Sequence, residues 1–142
     1  MEAHETIRCR GHSSISGLHP TTFEVTSETN LTPKGDCIIG VGAEKGAMAL
    51  DPVFKQVIRT DGAVLFTRLS DGNITVVVHS RGSPHLLLTH PTDLVWRRSG
   101  YIDNRTIGLW SDHVAASLPR ALISRLQRGE ALVVEMTAVT PD

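Results

Sequence analysis

Polar and apolar residues alternate from Glu5 to Arg10, with Ile7 and Cys9 on one side and Thr6, Arg8 and Arg10 on the other. That period of two predicts a strand with one buried face. Gly11 interrupts it, and His12–Leu18, whose large apolar residues are Ile15 and Leu18, is a weaker strand candidate. Thr21–Thr26 alternates again, with Phe23 and Val25 opposed to Thr22, Glu24 and Thr26. Ser27–Gly35 is polar, contains Pro33, and predicts a loop. Asp36–Val41 is apolar and β-branched, short enough for a strand covered on both faces. Gly42–Gly46 turns the chain. Asp51-Pro52 then predicts a helix start, with Asp as cap and Pro in the first turn. Val53, Phe54, Val57 and Ile58 supply its apolar stripe. Asp61-Gly62 ends that helix, and Ala63–Ser70 and Asn73–Arg81 flank Asp71-Gly72, a hairpin signal.

The second part of the chain follows the same course. Strands are predicted at Leu86–Leu88, Asp93–Arg98, Arg105–Trp110 and Ala131–Val139. Between the last two, a helix opens at Pro119, carries Leu118, Ala121, Leu122 and Leu126 on one side, and stops at Gly129. Residues 39–50 match residues 107–118 at a displacement of 68, while His19-Pro20-Thr21 and Arg10-Gly11 match His90-Pro91-Thr92 and Arg81-Gly82 at 71. The difference of three residues is a shorter loop in the second copy. Self-similarity at a fixed period marks a unit written twice. The expectation is one domain over residues 1–142, made of two repeats at about 4–70 and 73–139. Strands dominate and each repeat has one short helix, so a doubly wound parallel sheet is disfavoured. We expect a mainly antiparallel β-sandwich or flattened barrel of about ten strands, with pseudo-two-fold halves and helices over its open ends.

Length and composition narrow the class. At 142 residues the chain can bury roughly 68–70% of its unfolded surface. A net charge of −1 offers no global attraction for nucleic acid or an anionic membrane. No apolar run is long enough to span a bilayer, and Met1–Glu5 lacks the features of a signal peptide. Two cysteines, Cys9 and Cys37, suit a reducing compartment, so a cytoplasmic location is expected.

At Gly35-Asp36-Cys37-Ile38-Ile39-Gly40-Val41 the chain resembles an archaeal family catalogued as domain of unknown function 371. The resemblance extends through Gly11-His12, His19 with Thr22–Thr26, Leu31-Thr32-Pro33, Ser83-Pro84, His90–Asp93, Arg97–Ser99 and Arg105-Thr106. It implies a soluble archaeal domain with a β-sandwich fold and no assigned activity. Glu44-Lys45 stands where the family's Asp-Lys is expected, which keeps the charges.

Seven histidines raise the question of a metal. Two imidazoles, His19 and His90, with Asp36 or Cys37 would make a zinc set if both His-Pro-Thr turns met at one rim. There is no close Cys-x-x-Cys or His-x-x-x-His pair, and strand-end capping explains both histidines, so no metal or cofactor is assigned. Cys37 is the candidate nucleophile, provided that His19 lowers its pKa. Beside Ile38 and Ile39, however, it also suits core packing. Gly40–Gly46 lacks the ending of a phosphate loop. Its glycines suit tight packing better than an anion site. Arg97, Arg98 and Arg105 around Tyr101 form a basic loop, yet one aromatic residue in an isolated patch leaves nucleic acid disfavoured as a partner.

The function expected is therefore a binding module for a small polar or anionic ligand, or for a protein, at an asymmetric rim. That rim would carry His19, Glu24, Asp36, Lys45, His90, Asp93 and Arg105. A small hydrolase using Cys37 and His19 is one alternative. A structural or assembly role is another, in which open strand edges allow homo-oligomerisation.

Overall fold

The computed structural model describes residues 1–32 and 35–141. Pro33, which falls in the polar loop and in the family resemblance, lies outside the described residues. The strands are β1 (Glu2–Arg10), β2 (Thr22–Thr26), β3 (Ile38–Gly40), β4 (Val64–Ser70), β5 (Thr75–Arg81), β6 (Asp93–Arg97), β7 (Thr106–Gly108) and β8 (Ala131–Val139). Helix α1 (Pro52–Ile58) precedes β4, helix α2 (Arg120–Gln127) precedes β8, and each follows a 3-10 turn, at Ala47–Ala49 and Ala115–Ser117.

Among the described residues, eight strands form two four-stranded sheets, ordered β1-β8-β4-β5 and β3-β2-β6-β7. The fold is a β-sandwich with neither sheet closed into a barrel. Every pair in the first sheet is antiparallel, as is β2 with β6. The three-residue strands β3 and β7 instead join β2 and β6 in parallel, each through a register irregularity. Exchanging β1–β4 with β5–β8 leaves both strand orders unchanged.

Two of the roughly ten strands predicted do not form. His12–Leu18 and Leu86–Leu88 are turns and irregular chain. They alternate buried and exposed side chains, since Leu86 and Leu88 are buried around an exposed Leu87. Positive φ values at Gly17 (60°) and Leu88 (52°) turn the chain out of the extended path. Hydrophobic alternation therefore marks sides facing core and solvent here, without a ladder.

In the first sheet the alternation is clean: β1 and β5 bury every second residue, and β8 buries Leu132, Val134, Met136 and Ala138. Phe23 and Trp96 from the second sheet stack inside, with ring centroids 4.7 Å apart. The Trp96 indole N–H donates to Thr67 Oγ1 across the sandwich at 2.9 Å, which satisfies a buried donor and ties the sheets together. Asp51 caps α1 as its sequence predicts, its Oδ1 accepting from Val53 N at 2.9 Å and Phe54 N at 3.2 Å. The helices approach the chain leaving β1 and β5 so closely that no Cβ fits at Gly11 against Leu126 O or at Gly82 against Ile58 O. Among the described residues no helix is long and apolar enough to cross a membrane.

Candidate functional site

The outer face of the second sheet gathers some of the residues singled out above. Glu24, at the middle of β2, is only 4% exposed, and Arg105 Nη1 lies 2.9 Å from its Oε1 and 3.6 Å from Asp93 Oδ2. Asp103 Oδ2 accepts from Arg97 at 2.8 Å and from Arg105 Nε at 3.3 Å. Thr26 and Thr92 hydroxyls both donate to Asp93 Oδ1, at 2.8 and 2.9 Å. Three carboxylates thus share two guanidiniums. Burial, reinforced by the charge of Asp93 and opposed by Arg105 and Arg97, pushes the Glu24 carboxyl up to about 7. Burial would raise Asp103 too, but the Arg105 backbone N–H and both guanidiniums hold it below the ordinary carboxylate range.

The other candidates stand apart or serve the backbone. His19 Nδ1 accepts from Thr21 N at 3.3 Å and Thr22 N at 3.2 Å, while His90 Nδ1 accepts from Thr92 N at 3.2 Å and Asp93 N at 2.9 Å. Each imidazole caps its own turn. The His19 carbonyl receives the Ala116 N–H and the His90 carbonyl the Met48 N–H, so each turn also clasps a 3-10 turn of the other half. Lys45 reaches Glu5, 3.0 Å away at the core edge. Asp36 offers its backbone carbonyl to His19 N at 3.3 Å. Among the described residues no group of three or more His, Cys, Asp or Glu could hold a metal ion, so the zinc arrangement does not assemble.

Cys37, just before β3, is partly buried. Burial, helped by the neighbouring Glu24 charge, raises its thiol to about 11, so it is not poised as a thiolate at neutral pH. Gly40 and Gly108 serve close packing, because a Cβ would meet Cys9 Sγ at 2.5 Å or the Ser80 Cβ at 2.9 Å. In the basic loop, Arg97 and Arg105 are engaged by carboxylates, and the Arg97 guanidinium covers Tyr101 at 4.8 Å.

A different place has the shape of a site. Beside β5 lies a cleft of about 320 Å³ lined by Val64, Leu65, Phe66, His79, Ser80, Arg81, Trp110 and Asp112. The segment after β7 runs along the β5 edge: Arg81 and Leu109 exchange backbone bonds of 2.7 and 2.9 Å, and Asp112 N donates to His79 O at 3.0 Å. Asp112 returns Oδ1 to the His79 N–H at 2.8 Å and Oδ2 to the imidazole Nδ1 at 2.9 Å. Phe66 meets the His79 ring edge-on, with centroids 5.2 Å apart. Trp110 stands at the rim, 61% exposed, with φ of 51°. That left-handed conformation costs a non-glycine residue roughly 1–2 kcal/mol.

The first half builds the same frame without the cleft's aromatic wall. Arg10 and Val41 exchange backbone bonds, and Glu44 Oε1 accepts the Arg8 N–H at 2.7 Å. Gly42, at φ of 63°, occupies the place of Trp110, and the Arg10 guanidinium lies over it. None of the seven rim residues predicted from sequence lines the cleft. A signal was nonetheless present in the Gly42/Trp110 mismatch: a turn that suits glycine in one copy carries the bulkiest side chain in the other.

The family model described as Domain of unknown function (DUF371) matches residues 7–139. The chain is 34% identical over 130 residues to an uncharacterized protein, MJ0206, from the archaeon Methanocaldococcus jannaschii, spanning 92% of this chain and 96% of that relative. Together with the β-sandwich, the match over nearly the whole chain means that the protein belongs to the DUF371 family.

Proposed function

We propose that this protein is a binding module, built from two copies of one unit, that receives a small ligand in the cleft between Phe66 and Trp110. The observation that carries this reading is Trp110 itself, an exposed indole in a left-handed backbone position at the mouth of a cleft. Backbone strain of this kind persists where the surroundings over-determine it, and sites are where it gathers. Neighbouring Phe66 and Val64 supply apolar contact, while His79 and Arg81 supply polar groups, the usual composition of a ligand site. The raised Cys37 thiol and the capping role of His19 weigh against the hydrolase alternative.

The test uses the two indole N–H resonances of the 15N-labelled chain during titration with p-cresol. The Trp110 resonance is expected to move saturably, and the Trp96 resonance, bonded to Thr67, to stay in place. Trp110→Gly removes an indole whose ring lies against Gly100, and the remaining cleft resonances are expected to stop responding. A silent Trp110 resonance sinks the reading. So does a glycine variant whose remaining cleft resonances still respond saturably to p-cresol.

A further inference from the structure

We propose that the cleft selects a planar monocarboxylate with a hydrogen-bond donor at its far end, Arg81 receiving the carboxylate and His79 the donor. This rests on the reading of the cleft as a ligand site and adds the chemistry of what enters it. His79 and Arg81 are two residues apart on β5, so their side chains leave the same face about 7 Å apart along the strand. In register, Phe66 lies opposite His79 and Val64 opposite Arg81, so apolar side chains stand beside each polar group. One six-membered ring with substituents at opposite ends fits that spacing.

Each end has a defined polarity. Burial alone would raise the Asp112 carboxyl, but the His79 backbone N–H and imidazole hold it below the ordinary range, so it is ionised at neutral pH. An ionised carboxylate at Nδ1 keeps a proton on that nitrogen and leaves Nε2 as an acceptor in the neutral ring. With the ring in that neutral form, the matching group on the ligand is an O–H or N–H. Arg81 lines the cleft with no side-chain hydrogen bond or ion pair among the described residues, and a guanidinium matches a carboxylate through two parallel hydrogen bonds. Two acidic groups bound the choice of anion. Asp112 is engaged by His79, and Asp61 lines an adjoining cleft of about 250 Å³ that shares Arg81 and Trp110. A dianion such as a phosphate monoester meets both negative charges, whereas a monocarboxylate is held by direct contact with Arg81.

Titration of the 15N-labelled chain with 4-hydroxybenzoate, benzoate, p-cresol and phenyl phosphate tests this. 4-Hydroxybenzoate is expected to bind at least about tenfold more tightly than p-cresol, the scale of a hydrogen bond to a charged group. Phenyl phosphate is expected to bind more weakly than either carboxylate. Arg81→Gln should erase the advantage of 4-hydroxybenzoate over p-cresol while leaving p-cresol unchanged. His79→Phe should erase its advantage over benzoate. An unmoved Trp96 resonance verifies the fold of each variant. Equal affinity for 4-hydroxybenzoate and p-cresol, or indifference to Arg81→Gln, overturns the ligand class and leaves the cleft standing. Failure of every probe to move Trp110 overturns the cleft as well.

Discussion

Glu24→Gln is expected to stabilise the protein above pH 7 and to leave it nearly unchanged at pH 4. The wild-type carboxyl is buried beside Asp93 and held at about 7, against an ordinary value of 4.5. Near pH 4 the carboxyl is protonated in both folded and unfolded chains and costs nothing. As pH rises past 4.5 the unfolded chain ionises first and is favoured, so stability falls until the folded carboxyl also ionises near 7. Above that the loss is complete. A displacement from 4.5 to about 7 at about 1.4 kcal/mol per pH unit amounts to about 3 kcal/mol. In a domain of this size that lowers the thermal midpoint by about 10 °C. Glutamine keeps an oxygen for Arg105 Nη1, which sits 2.9 Å from Glu24 Oε1, and removes the charge that burial disfavours. Thermal unfolding of both proteins from pH 4 to 9, followed by circular dichroism, measures the difference. A wild-type midpoint that does not fall between pH 5 and 8, or a Gln variant with the same pH dependence as the parent, would refute the assignment of Glu24 as the destabilised group.

The same network makes a second prediction: Arg105→Met, assayed by the same melts, should lose about 1–3 kcal/mol at pH 8 and less at pH 5, where Glu24 is neutral and only Asp93 and Asp103 still face the guanidinium. Cys37, with its thiol raised to about 11, should be alkylated by iodoacetamide at pH 7 more slowly than free cysteine; a faster rate would revive the nucleophile. Burial would raise the Asp71 carboxyl, but the Ile74 and Asn73 N–H groups and the Arg125 guanidinium bring it down to about 2. Its contribution to stability is therefore present above about pH 4 and lost on acidification to pH 2. Asp71→Asn should melt below wild type at pH 7, with the gap closing by pH 2, as read by acid titration of the midpoint.

Local features were legible in the sequence because short-range physics sets them. The Asp71-Gly72 hairpin, the Asp51 cap and the ends of Ala131–Val139 all appear as predicted. Each depends on a side chain and the backbone within a few residues of it. Alternation misled at His12–Leu18 and Leu86–Leu88, because side-chain burial can repeat every two residues on a chain that pairs with nothing. Three of the seven candidate rim residues come together. Glu24, Asp93 and Arg105 meet, whereas Lys45 goes to Glu5 and the two histidines cap their own turns.

What the sequence alone determined is the sequence of elements, the sidedness of the long strands and the charge types available to the second sheet. The tertiary structure decided which of these meet. Strand β8 enters between β1 and β4, so the sheet order cannot be followed along the chain. Glu24 and Arg105, 81 residues apart, become neighbours because β2 pairs with β6 and the segment leading into β7 reaches back across β6. Trp110 faces solvent because its backbone repeats the left-handed turn of Gly42, and only the packing around that turn determines what its ring overlooks. Pairing across the chain is won by burying shared apolar surface, a quantity no local stretch of residues specifies.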